Sequence, residues 1–289
     1  MSRHRGIARA VFVIGVGRSG TTMVYDMLAV SPNLRWISRV EADVGVSRLI
    51  NRIAVHDHAT RMAHGKRRSR WLSPSEAYVW WDRQLPRFAG ATTGELAPND
   101  ISSAEVERVS RAIRKLARGN RVFLNKNTRN GRRIRVLASL PDVDVRFLHV
   151  VRHPLAVARS LTRVQWWPHT PLWFRGGETP NALAASDEDH LTLAAELWCR
   201  EMQCIEGAIA NGYTALTVRY EDVVKDPRSV GAQVAEFASS DRPSFVGEIA
   251  ARFVTSARAE DWRHKMPRAT QQRLWTMVAQ QARTWGYEQ

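Results

Sequence analysis

Val11-Phe12-Val13-Ile14-Gly15-Val16-Gly17-Arg18-Ser19-Gly20-Thr21-Thr22-Met23-Val24-Tyr25 is the stretch on which the reading of the fold turns. Its first four residues are apolar and mostly β-branched, the composition of a buried strand. Gly15, Gly17 and Gly20 follow, and glycines there permit a tight turn and a close approach of backbone to a ligand. From Thr21 a helical pattern carries Met23, Met27 and Leu28 on one side. Strand, glycine loop and helix N-terminus in that order cradle a phosphate, because free N–H groups and the positive end of the helix dipole meet there. The spacing of Gly15 and Gly20 fits the nucleotide-triphosphate motif G-x-x-x-x-G-K-[ST]. Thr21, however, stands where that motif needs its lysine, and the cation is Arg18, inside the loop.

Outward from this stretch, strands alternate with helices. Residues 121–125, 145–151 and 215–218 read as strands, and residues 154–161 and 187–211 as helices, the second stopped by Gly212. Ser73-Pro74-Ser75-Glu76 predicts a helix start, with Ser73 as N-cap and Glu76 closing a capping box. Ser102 with Glu105 predicts another, running to Gly119. Periodicity is weak over 39–63, a short helix is expected over 130–139, and 165–185 is a Trp- and Pro-rich connection. Beyond residue 218 the chain reads as helical, apart from a basic loop over 261–267. The alternation predicts an α/β, P-loop-like three-layer fold with a central, mostly parallel sheet flanked by helices and ligands at the carboxyl ends of the strands. With no repeat or linker, a single domain over 1–289 is expected.

The 289 residues, 44% hydrophobic and 25% charged, have the balance of an ordinary globular protein. No apolar stretch has the length of a membrane span, and the basic tail of residues 1–9 lacks the apolar core of a signal peptide. Cys199 and Cys204 share one helical pattern and read as packed thiols, so a cytoplasmic location is expected. A net charge of +15 favours anionic partners: nucleic acid, an acidic membrane surface or a polyanionic small ligand. The basic residues are spread along the chain, which argues against an obligatory nucleic-acid partner. The densest run, His64-Gly65-Lys66-Arg67-Arg68-Ser69-Arg70, is expected to be a solvated loop or helix end.

A second anchor lies at Val150-Val151-Arg152-His153-Pro154, where a strand runs into a helix. P-loop enzymes that hydrolyse triphosphates often end such a strand in an aspartate that helps hold Mg²⁺; here the residue is Arg152, suited to an anion. Ser160 lies eight residues on, about two helical turns. The loop Arg18-Ser19-Gly20-Thr21-Thr22 and the segment from Arg152 to Ser160 resemble the 5′-phosphosulfate loop and 3′-phosphate segment of the sulfotransferases that use 3′-phosphoadenosine 5′-phosphosulfate (PAPS), in their bacterial type with arginine in the loop. The resemblance implies PAPS as donor, PAP as product and no metal. It assigns Gly17, Arg18, Ser19, Gly20, Thr21 and Thr22 to the 5′-phosphosulfate, and Arg152 and Ser160 to the 3′-phosphate. Phe123-Leu124-Asn125-Lys126-Asn127-Thr128 resembles the strand that delivers a catalytic lysine, Lys126, to work with Arg18. Arg219-Tyr220-Glu221-Asp222 resembles the segment whose tyrosine, Tyr220, lies near the adenine. Asp261-Trp262-Arg263-His264-Lys265 resembles the basic loop that closes over the nucleotide through Arg263 and Lys265.

Many cytosolic family members carry a histidine base two residues after that lysine; here the position is Thr128. Arginine-type relatives use a glutamate after the first helix, which points first to Glu41, with His56, His58, Glu76 and Glu95 as alternatives. The acceptor is expected to offer a hydroxyl or amine on a small molecule, carbohydrate or lipid, and a homodimer stays open. The rival readings are a P-loop nucleotide-dependent kinase and a non-catalytic basic anion- or nucleic-acid-binding module. Trp166 to Phe174 hold three of the chain's 11 tryptophans; this segment reads as a lid over the acceptor, the alternative being that its rings pack onto the helices below.

Overall fold

The computed structural model describes residues 7–66, 68–86, 92–254 and 261–289. The first six residues of the basic tail and Arg67 of the basic run lie outside the described residues. Five strands form one all-parallel sheet: β1 (Ala8–Ile14), β2 (Leu34–Arg35), β3 (Val122–Lys126), β4 (Val143–Val151) and β5 (Ala215–Arg219), in the order β2-β3-β1-β4-β5. In register, Phe12 stands beside Asn125 on one side and Phe147 on the other.

The helices before β4 are α1 (Thr21–Leu28), α2 (Arg39–Val44), α3 (Arg48–Ala63), α4 (Tyr78–Gln84), α5 (Ser103–Leu116) and α6 (Ile134–Ala138). After it come α7 (Pro154–Leu161), α8 (Pro180–Leu183), α9 (Asp187–Ile209), α10 (Tyr220–Lys225), α11 (Pro227–Phe237), α12 (Pro243–Phe253), α13 (Asp261–Lys265) and α14 (Arg268–Thr284). Both sheet faces are covered, which is why β1 from Ala10 onward is a continuous apolar run rather than an alternating one. Ala10, Phe12 and Ile14 pack with Phe123, Phe147 and Trp81 and the apolar faces of α5 and α6. Val11 and Val13 face the opposite way, onto α1, α3, α11 and α12. A third core joins α7, α9 and α14 around Trp167, Trp198 and Trp275.

Because β3 and β4 leave β1 on opposite sides, a crevice opens at the carboxyl end of the sheet, the place where such folds bind ligands. The loop after β1, Lys126 at the end of β3 and Arg152 after β4 all lie there.

Two expectations are corrected. Ser73 to Glu76 do not start a helix: Ser75 donates its N–H to Ile37 O at 2.9 Å, Pro74 bridges Ser38, and α4 begins only at Tyr78, after Ala77 in the left-handed region at φ 57°. Residues 261–265, expected as a loop, form α13. The Trp- and Pro-rich connection over 165–185 holds two single 3₁₀ turns and α8. The two-residue strand β2 carries no sequence signal of its own; it exists because it pairs with β3.

Candidate active site

The carboxyl ends of β1, β3 and β4 and the start of α10 open onto one cavity of about 820 Å³. Its floor is the glycine loop. A Cβ at Gly15 (φ +144°) would meet Val150 O at 2.3 Å, and one at Gly20 (φ +94°) would meet Tyr220 Cδ2 at 2.4 Å, so both positions demand glycine. Gly20 leads into α1 with no side-chain cap, leaving the first-turn N–H groups directed at the cavity. The Ser19 hydroxyl is buried there without a hydrogen-bond partner. Arg18, itself at φ 72°, is exposed, and its Nε donates to Ser160 Oγ at 3.0 Å.

Arg152 ties this floor to the next wall. Its Nη1 donates to Arg18 O at 3.2 Å, and its guanidinium lies 4.1 Å over the Tyr220 ring. Burial disfavours its charged form and pulls its pKa below the usual value, with Tyr220 and Glu221 opposing. An anion in the cavity would offset that penalty.

Lys126 reaches the same space from β3. Its Nζ donates to Glu76 Oε1 at 2.5 Å, while Tyr78 OH donates to Glu76 Oε2 at 2.6 Å. Burial pushes the Glu76 carboxyl up, but the Lys126 charge and the hydrogen bonds from Lys126 and Tyr78 outweigh it and hold the pKa below its ordinary value. At the far end the wall is Trp166, His169, Thr170, Pro171 and Trp173. Behind it, Arg132 and Glu201 form a buried pair at 3.1 Å, and Trp173 Nε1 donates to Glu201 Oε1 at 3.0 Å.

Of the residues expected at the site, Gly17, Arg18, Gly20, Thr21, Thr22, Lys126, Arg152 and Tyr220 line this cavity, while Ser19 and Ser160 adjoin it. Arg263 and Lys265 do not line it; Arg263 borders a separate 230 Å³ hollow beside Tyr287 and Glu288.

Glu41 is not brought to the site. Its carboxylate is fully buried, pairs with Arg35 Nη2 at 2.6 Å, and accepts from Ser38 N, Ser38 Oγ and Ser47 N at 2.9–3.1 Å. Its lone pairs are spent on capping α2 and neutralising a buried arginine, so it has none for an acceptor proton. Among the alternatives, His58 is buried against Asp26 O at 3.0 Å, His56 faces another cavity, and Glu95 pairs with Arg135 at 3.3 Å. Glu76 alone of this group lies in the cavity wall.

Trp167, expected in the lid, is fully buried and donates to His190; the cavity-facing rings are Trp166, 49% exposed, and Trp173. Sequence reasoning missed Tyr78, Arg132 and Glu201. Glu201 did carry a signal: it lies three residues after Trp198 and four before Ile205, on the buried stripe of α9, where an acid needs a reason. Among the described residues, no three His, Cys, Asp or Glu side chains are grouped to hold a metal ion, and no helix is long and apolar enough to cross a membrane.

Comparison with solved structures finds the same architecture in the sulfotransferase domain from the Synechococcus PCC 7002 olefin synthase (TM-score 0.53, 18% identity, 100% of this chain and 98% of that one covered). It also finds it in sulfotransferase STF9 from Mycobacterium avium (TM-score 0.56, 14% identity, 98% and 78% covered). No curated protein matches. The model of the sulfotransferase family matches residues 10–243, a span that takes in the glycine loop, Lys126, Arg152, Ser160 and Tyr220, and by that match the chain belongs to the sulfotransferase family.

Proposed function

We propose that the chain transfers a sulfuryl group from PAPS to the hydroxyl or amine of a small-molecule, carbohydrate or lipid acceptor. The observation that carries this reading is the convergence of three cations from three strand ends, Arg18, Lys126 and Arg152, on one cavity whose floor is a glycine loop. The partnerless Ser19 hydroxyl, the uncapped start of α1 and the desolvated Arg152 all suit a phosphosulfate donor with a further phosphate. In a kinase, Thr21 would be the loop lysine and Arg152 a metal-holding aspartate, and neither is so.

The donor supplies an activated sulfuryl group. As the acceptor oxygen bonds to sulfur and the sulfur–phosphate-oxygen bond breaks, charge develops on the departing phosphate. The Arg18 guanidinium stabilises that charge electrostatically. Lys126 holds the transferring group, and Glu76 takes the acceptor proton. Lys126 cannot serve a sulfuryl oxygen and keep its full contact with Glu76. Drawing it toward the donor removes the largest influence that holds the Glu76 pKa down and leaves burial opposed only by the hydrogen bonds from Tyr78 and Thr128, so the pKa rises and the base strengthens when the donor is in place.

The test is thermal melting with PAP and with 5′-AMP. A ligand at one hundred times its Kd adds about 2.7 kcal/mol, or roughly 5–10 °C for a chain of this size. PAP should reach this shift where 5′-AMP gives far less, and Arg152→Ala should remove most of the difference. Equal shifts from the two nucleotides would refute the assignment.

A further inference from the structure

The described part of the basic run around residues 64–70 is largely exposed, as expected, but Arg68 within it is half-buried and tied to the fold. Arg68 Nε lies 3.2 Å from Asp26 Oδ1, and its Nη2 donates to Pro74 O at 2.6 Å, anchoring the run to α1 and to the segment that carries Glu76. Trp71 O and Ser73 O accept from Val40 N and Arg39 N at 3.1 and 3.2 Å, which holds the chain after the run along α2.

This docking builds a second cavity of about 530 Å³, bounded by Arg39, Arg68, Arg70, Trp71, Asp43 and Val79. It shares Thr22, Glu76, Tyr78 and Lys126 with the larger cavity, so one wall separates the two spaces, and that wall is the proposed sulfuryl-transfer point.

The charges of the second cavity are lopsided. Asp26 neutralises Arg68, and Glu76 neutralises Lys126. Arg39 and Arg70 remain against Asp43, and no carboxylate among the described residues forms a salt bridge with either arginine. Arg70 instead lies 5.0 Å over the Trp71 ring, and Trp71 is 56% exposed, a large indole at the mouth of a charged cleft. Two exposed guanidinium groups beside open aromatic rings make a recognition surface for an anion carried on a ring, since arginine binds carboxylate, sulfate and phosphate in a planar, often bidentate way.

We propose that this cleft is the acceptor site, and that it selects an acceptor bearing a carboxylate, sulfate or phosphate beside the hydroxyl that is sulfated. The proposal rests on the sulfotransfer reading, because it places the acceptor against Glu76 and Lys126. The Trp166 and Trp173 wall lines the larger cavity alone, where it meets the part of the acceptor that extends past Glu76 and Lys126 and takes no part in the choice of acceptor charge.

The experiment is equilibrium binding of two matched pairs, with and without saturating PAP. One pair is 4-nitrophenyl glucuronide and 4-nitrophenyl glucoside, a sugar acceptor with and without a carboxylate. The other is 4-hydroxyphenylacetate and 4-hydroxyphenylacetamide, a phenol with and without one. The pair that responds distinguishes a sugar from a phenol as the source of the anion. The anionic member of at least one pair should bind about tenfold or more tightly than its neutral twin. The double variant Arg39→Ala/Arg70→Ala should abolish that preference and leave the PAP melting shift unchanged. Arg228→Ala/Arg252→Ala, which removes the same charge from exposed positions on α11 and α12, should preserve the preference. Equal binding of the twins, a preference that survives the Arg39/Arg70 double variant or is lost equally in the Arg228/Arg252 control, or no binding by any of the four compounds would overturn the proposal. The PAP shift, read in the same samples, reports separately on the donor site.

Discussion

Glu41→Gln and Glu76→Gln should have opposite signatures. Glu41 is fully buried against Arg35, whose side chain is itself 2% exposed, and it also closes the cap of α2. Neutralising it leaves a buried guanidinium without its counter-charge, a loss of about 3–5 kcal/mol for a broken buried pair. At about 2–4 °C per kcal/mol for a chain of this length, melting should fall by roughly 6–20 °C. Protein that remains folded should keep its kcat. Glu76→Gln strips Lys126, 5% exposed, of its counter-charge, but Glu76 itself is 31% exposed and glutamine can keep a hydrogen bond to Tyr78, so its melting loss should be smaller than that of Glu41→Gln. It should instead lose about 10²–10⁴ in kcat, the usual contribution of a positioned base.

The pH profile gives a further readout. In the free protein the Glu76 pKa lies below its ordinary value, so the acidic limb of kcat/KM for PAPS should fall below about pH 4.5. With the donor bound and Lys126 drawn off, only the hydrogen bonds from Tyr78 and Thr128 still oppose burial, and the acidic limb of kcat should move upward. Glu76→Gln should erase the limb from both. The assay is transfer of labelled sulfuryl from PAPS across pH, with melting curves on the same preparations. A Glu76→Gln enzyme with wild-type turnover, or a Glu41→Gln enzyme that melts normally and loses its acidic limb, would return the base to Glu41.

Gly20→Ala puts a Cβ 2.4 Å from Tyr220 Cδ2 at a φ of +94°, so it should cost about 2 kcal/mol or more. It should also weaken the PAP response by displacing the ring under Arg152; calorimetry with and without PAP checks both. Trp167→Ala should cost about 3–5 kcal/mol as a buried aromatic truncation, whereas Trp166→Ala should leave melting nearly unchanged and raise the acceptor KM. Side-by-side melting and acceptor kinetics would contradict this division if the two variants behaved alike.

Much of the site was legible because it is local. The strand, the glycines and the start of α1 follow one another within fifteen residues, and Arg152 and Ser160 lie on one helix and its lead-in, so backbone geometry alone relates them. The base was not legible, and the reason is specific. The chain holds three copies of the same local pattern, a serine followed three residues later by glutamate; Ser102 to Glu105 caps α5, and the other two are Ser38-Arg39-Val40-Glu41 and Ser73-Pro74-Ser75-Glu76. Either can close a capping box, and in either the glutamate could be left free for chemistry. The first reads by position as the base and the second as the cap, whereas in the folded chain Glu41 is the cap and Glu76 lies in the cavity wall. Glu41 caps α2 because β2, a strand with no signature of its own, buries Arg35 beside it. Glu76 is kept from capping a helix because the end of β3 brings in Lys126, 50 residues away, at 2.5 Å. Sequence determined that two carboxylates were available and where the glycine loop would lie. Which carboxylate faces the cavity depended on which buried cation each one met, and only long-range strand pairing decides that.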